Sequence, residues 1–299
     1  MTETAPIPDP GPDTAAARAV VVGVDGSAGN RAAVAWAARE ALATGGPLIL
    51  VAVLDDTAFL APMKDPDVDS VRARQVLTEV SAQTRRDHPQ LRVSHEMRAG
   101  GAVTTLLDRS TGHPALVVGK RGLGTFGRMM LGSTSTAVAG RSRVPVVVVP
   151  EGWDPESRTE APIVVGADPD QEMDRSLRWA FEHADRLRVP VVVVHSTHLP
   201  RSIAWDPQAE VMQGRHEWLR RRGDDVRTGL ELVRRDFPEV DASLVEDEAH
   251  PADLLLDRSE HAQLLVLGRR EPGTFGFTLG SVARGVLHHA TVPVAVIPS

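Results

Sequence analysis

The chain repeats itself, and a repeat restricts what it can fold into more than any other feature of the sequence. AVVVGVDGS at Ala19–Ser27 aligns with PIVVGADPD at Pro162–Asp170, 143 residues later. At the same offset Trp36 falls on Trp179 and Pro47 on Pro190. LLDRS at Leu106–Ser110 recurs at Leu255–Ser259, and LVVGKRGLGTFG at Leu116–Gly127 recurs as LVLGRREPGTFG at Leu265–Gly276, both at an offset of 149. VPVVVVP at Val144–Pro150 matches VPVAVIP at Val292–Pro298, at 148. So many ordered matches identify a tandem duplication, and one half's fold must serve for both. The length of 299 residues agrees, since roughly 150 residues make a domain.

Each half alternates strand and helix. Val20–Val24 is a short β-branched run, and Val34, Ala37, Ala38, Ala41 and Leu42 then recur at helical spacing. A strand over Leu48–Leu54 follows, then a variable segment, a polar helix over Val71–Arg86, and a mixed strand over Leu91–Met97 that reads as an edge. Next come a helix at Val103–Ser110, a strand at Ala115–Val118, a glycine-rich loop, a helix at Ser133–Arg141 and a strand at Val146–Val149. Continuous apolar strands alternating with helices predict an α/β fold, a doubly wound parallel sheet covered on both faces. The expected organisation is a flexible tail over 1–18, a first domain over 19–150, a linker over 151–161 and a second domain over 162–299. The tail lacks the basic start and apolar core of a signal peptide, so the expected location is cytoplasmic.

Composition removes several classes. Hydrophobic residues make up 42% and charged residues 24%, as in soluble globular proteins. No apolar run approaches the roughly 18 residues of a membrane span. With no cysteine, disulfides, thiolate catalysis, iron–sulfur clusters and thiolate zinc sites are excluded. A net charge of −7 makes the whole chain a poor partner for nucleic acid. The charge is divided unevenly: residues 1–150 carry +2 and residues 151–299 carry −9. Eleven histidines are scattered, and adjacent His288 and His289 point apart on a helix, so no metal site is assigned. Trp36 and Trp179 read as core, His195 as a satisfied strand-end residue, and Arg220–Arg222 as a solvated helix face. Phe126 and Phe275 stand at matching points of the two glycine loops.

Ligands of such sheets bind beyond the carboxyl ends of the strands, where strand order reverses. The loop after the fourth strand reads Gly119-Lys-Arg-Gly122, nine residues, then Gly132-Ser133. Glycines let backbone N–H groups approach an anion. Gly132-Ser133-Thr134 opens a helix whose first N–H groups lack partners and whose dipole favours negative charge. Lys120, Arg121 and Arg128 put positive charge nearby. On the loop alone, a phosphate site and a merely tight strand-to-helix connection stand as equal alternatives. Gly122-Leu-Gly124-Thr-Phe-Gly127 matches the dinucleotide fingerprint, but it follows the fourth strand and meets no acid before Glu151, which excludes NAD. No P-loop sequence is present.

With these residues assembled, the chain resembles the universal stress protein family over nearly all its length beyond the tail. ATP-binding members carry G-2x-G-9x-G-[S/T] after the fourth strand, which Gly119–Ser133 fits without a gap, and an aspartate ending the first strand, matched by Asp25. The resemblance implies five-stranded parallel domains of order 3-2-1-4-5, in the adenine nucleotide alpha hydrolase-like class. It implies pairing through the last strands, which the two halves can form within one chain, and a homodimer with an unidentified protein partner. For the site, it implies that Asp25, Gly26 and Ser27 lie against the adenosine and Val53 lines the adenine pocket. Gly119 and Gly122 would meet the ribose and phosphates, Arg121 counts among the nucleotide-binding residues, and Gly132, Ser133 and Thr134 would hold the phosphates with Mg²⁺ bridging them.

The second half departs from the pattern. Asp168 is kept, but Gly26 becomes Pro169, Ser27 becomes Asp170, and Gly122 becomes Glu271 followed by Pro272. A carboxylate repels phosphate there and proline removes an N–H donor. The expected function is ATP binding by the first half, while the second binds weakly, binds a different ligand or serves as a dimer partner, in a regulatory role in the stress response and with no catalytic residue. A slow ATPase or phosphotransferase and a non-binding dimerisation scaffold are the alternatives. No general base stands beside the loop for phosphoryl transfer.

Overall fold

The strands of both halves join into a single ten-stranded sheet in the computed structural model, which describes residues 19–54, 66–122, 131–169, 173–198, 209–269 and 279–299. The first half runs β1 (Val20–Gly23), α1 (Ala28–Thr44), β2 (Leu48–Leu54), α2 (Pro66–Asp87), β3 (Val93–Ala99), α3 (Ala102–Ser110), β4 (Ala115–Gly119), α4 (Ser133–Arg141) and β5 (Val146–Val149). The second repeats it as β6 (Ile163–Gly166), α5 (Met173–Leu187), β7 (Val191–Ser196), α6 (Ala209–Asp236), β8 (Ala242–Asp247), α7 (Pro251–Ser259), β9 (Leu264–Gly268), α8 (Ser281–His289) and β10 (Val294–Ile297). Sheet order is β3-β2-β1-β4-β5-β10-β9-β6-β7-β8. Each half therefore has the order 3-2-1-4-5, with all neighbours parallel. The expected exposed strand lies two residues later than the sequence suggests, and it is an edge of the sheet.

Alternation along each strand divides the core in two. Val20, Val22, Leu48 and Leu50 face a layer holding α1, α2, α5 and α6. Val21, Ile49, Val51, Leu116 and Val118 face a layer holding α3, α4, α7 and α8. Both faces are covered, which is why the strands read as unbroken apolar runs.

The halves meet where β5 and β10 pair antiparallel, with Val148 opposite Val294 and Val146 opposite Val296. Val147 lies opposite Ala295, its own counterpart at offset 148, so a pseudo-two-fold axis passes between them. Close to that axis Glu40 meets its counterpart His183, Oε1 to Nε2 at 3.1 Å, and Arg186 binds the same oxygen at 2.7 Å. His183 stacks on Trp179 with ring centroids 3.5 Å apart. Trp36 is buried, as its spacing predicts. The rings of His288 and His289 come into edge contact at 4.7 Å, so these neighbours do not point apart as expected. The tail, Arg128, Phe126 and Phe275 lie outside the described residues.

Candidate functional site

Two cavities of about 420 Å³ open at the carboxyl ends of the strands, one in each half. The order reversal between β1 and β4 opens the first. Asp25, Val53, Gly119, Arg121, Gly122, Gly132, Ser133 and Thr134 all line it, although they are scattered over more than a hundred residues. Val51, Leu106 and Val118 supply its apolar wall.

Gly26 and Ser27 do not line this cavity. They shape the turn that presents Asp25: Gly26 adopts φ +81°, and the Ser27 N–H donates to Asp25 Oδ1 at 2.9 Å. Asp25 in turn explains Gly122, because a Cβ at residue 122 would overlap the Asp25 carboxylate. The α4 end is tied to the sheet from below. Ser135 Oγ donates to the Gly119 carbonyl at 2.7 Å, and the Gly132 N–H donates to the Lys120 carbonyl at 2.9 Å. Gly132 makes no side-chain cap, so the first turn of α4 faces the cavity with its hydroxyls and N–H groups. Arg121 lines the same space; its buried Nε has no hydrogen-bond partner among the described residues, while Nη1 lies 3.9 Å from Glu151 Oε2. A donor set of guanidinium, hydroxyls and helix N-terminus, with a carboxylate across from it, fits a ligand bearing both anionic and hydroxyl groups.

Lys120 does not join this set. Its Nζ leaves the cavity and donates to the Ala290 carbonyl of the second half at 2.9 Å. Burial, and then the neighbouring Arg121, pull its pKa down to about 8.

The second cavity has a different lining. Asp168, at the position of Asp25, is held by Arg222 at 2.7 Å, and Arg222 lies over the Trp218 ring at 4.6 Å. The expectation of a solvated Arg220–Arg222 face therefore fails at Arg222, whose side chain is only 14% exposed. The repeat pairs Arg222 with Ala73 of α2, so only the second half has this guanidinium. His195 is buried and its Nδ1–H donates to the Ala167 carbonyl at 3.0 Å, the satisfied role expected of it, though it also lines the cavity. Glu271 and Pro272 lie outside the described residues.

Comparison with known proteins gives one family. The model of the Universal stress protein family matches residues 17–150 and again 161–298. A universal stress protein of Mycolicibacterium smegmatis is 32% identical over 296 residues, covering 93% of this chain and 96% of the relative. Universal stress protein Rv2005c of Mycobacterium tuberculosis is 31% identical over 291 residues, covering 93% and 96%. The crystal structure of a universal stress protein from Archaeoglobus fulgidus superposes with a TM-score of 0.72 at 20% identity, covering 95% of this chain and 97% of that one, and shows the shared fold.

Proposed function

The chain belongs to the universal stress protein family, and from that premise we propose that its first cavity binds an adenine nucleotide, ATP in the leading case, once per chain. What carries this reading is the convergence of Asp25, Gly119, Gly122 and Gly132–Thr134 on one cavity with Arg121, whose Nε has no hydrogen-bond partner among the described residues. Phosphate oxygens would take the Arg121 guanidinium and the first turn of α4, where both the dipole and the N–H groups favour anions. The Ser133 and Thr134 hydroxyls would hold Mg²⁺, which would neutralise phosphate charge. Asp25 and Val53, on the β1–β2 side, face the nucleoside.

The second cavity does not take ATP in this reading. Arg222 already occupies the Asp168 carboxylate, and Glu271 stands in its loop. The role is regulatory rather than enzymatic: bound nucleotide changes what the protein offers a protein partner in the cytoplasm. No helix among the described residues is long and apolar enough to cross a membrane. The test is the identity of nucleotide retained by the purified protein, read by mass spectrometry after denaturation. An adenine nucleotide retained by the wild type and lost in Ser133→Glu supports the reading; retention unaffected by that change refutes it.

A further inference from the structure

Asn30 is the polar residue of the first cavity that no motif marks. It stands in the first turn of α1 and is only 5% exposed, yet it lines the cavity with Val24 and Asp25. Its Nδ2 is buried with no hydrogen-bond partner among the described residues. The Asn30 backbone N–H has its own partner, the Ser27 carbonyl at 3.1 Å. A buried amide donor without an acceptor opposes folding, so its presence at a cavity wall calls for a ligand atom.

The repeat supplies an internal comparison. At offset 143, Asn30 corresponds to Met173, which lines the second cavity. The position is polar in the half that keeps the intact glycine loop, and an apolar thioether in the half that has lost it.

We propose that Asn30 is a recognition residue for a sugar hydroxyl of the bound nucleotide. The carboxylate of Asp25 accepts hydrogen bonds only, while the Asn30 amide donates. A ligand hydroxyl does both, so it can donate to Asp25 and accept from Asn30. Phosphate fits this end of the cavity poorly, because Asp25 repels it, and the anion-binding groups follow β4 rather than β1. The assignment rests on the nucleotide reading above and adds to it a basis for choosing ribose over deoxyribose.

Titration calorimetry on the full chain tests it with ATP, adenosine, 2′-deoxyadenosine and 3′-deoxyadenosine. The wild type should prefer adenosine to at least one deoxy analogue by about tenfold, one hydrogen bond's worth. Asn30→Met should lose about tenfold for ATP and adenosine alike and lose the ribose preference, without a fall in thermal stability. Asn30→Asp, which keeps the shape but replaces the donor, should lose at least as much. Wild-type affinity in both variants, or a loss confined to ATP, or an unchanged ribose preference, overturns the assignment and leaves the nucleotide reading standing. A wild type that binds none of the four probes overturns the nucleotide reading itself, and this assignment with it.

Discussion

Lys120 of the first half donates from Nζ to the carbonyl oxygen of Ala290 in the second half, across 2.9 Å. Its counterpart Arg269 reaches back, with a long 3.5 Å contact from a guanidinium nitrogen to the Ala139 carbonyl of the first half. Each residue follows the strand that opens a glycine loop, and each ends near the carboxyl end of the other half's last helix, where the dipole favours a cation. The seam between the halves thus takes up charge that the sequence places beside the loop.

Lys120 predicts an alkaline stability change of definite sign. Its pKa is about 8 in the fold against 10.5 ordinarily. Between those values the unfolded chain holds a proton that the folded chain lacks, so stability rises with pH across that window. Below pH 8 the cost of the buried ammonium is fully present. The amino group is only half-buried, so the rise should be about 1 kcal/mol, well under the full conversion of the shift. The window is clean, because the chain has no tyrosine or cysteine and only one other lysine, Lys64. Denaturant unfolding at pH 7.5 and pH 10 should show the rise in the wild type and not in Lys120→Met.

Glu40 predicts a slope of the same sign in acid, from an ion pair that stabilises the fold rather than a buried charge that opposes it. Burial alone would raise its pKa, but His183 and then Arg186 outweigh it and hold the carboxyl at about 2. This stability is present above the ordinary value of 4.5 and is lost as pH falls toward 2. Glu40→Gln leaves the charge of Arg186 without its carboxylate at the seam and should cost about 3 kcal/mol at pH 7. Its unfolding free energy should then fall less steeply than that of the wild type between pH 4.5 and pH 2.

Gly122 should tolerate no side chain. Gly122→Ala forces either Asp25 or the loop to move, because a Cβ there overlaps the carboxylate. ATP affinity should fall at least tenfold, about 1.4 kcal/mol, with little change in thermal stability. Calorimetric titration checks both.

Arg222→Ala isolates the second cavity. The pair with Asp168 is partly exposed and should contribute only about 0.5–1 kcal/mol. Melting temperature should drop by about 1–4 °C, while ATP binding at the first cavity stays at wild-type affinity. A large change in that affinity would show that the two cavities act as one.

What could be read in advance follows a physical division. Strand runs such as Val146–Val149 and the helix positions of Trp36 are fixed by local periodicity and burial, and both fell where the pattern put them. Gly132 was legible because a helix start after a glycine-rich loop leaves few places for its residue type, whereas Asp25 was marked by the family resemblance, since an aspartate at a strand end reads equally as a turn or cap residue. Lys120 was misplaced because its direction depends on Ala290, 170 residues away. Arg222 was misread for a similar reason: its neighbours in sequence are solvated, but its partner Asp168 is brought to it by the fold. Asn30 gave no signal at all, since one amide in a helix's first turn looks like capping until the cavity beside it is known.

One nucleotide per chain, bound in the first cavity, is open to equilibrium dialysis of the full chain against labelled ATP. Saturation at one ATP per chain and loss of that binding in Gly132→Asp are the expected results. Saturation at two per chain, or full binding after Gly132→Asp, would contradict it.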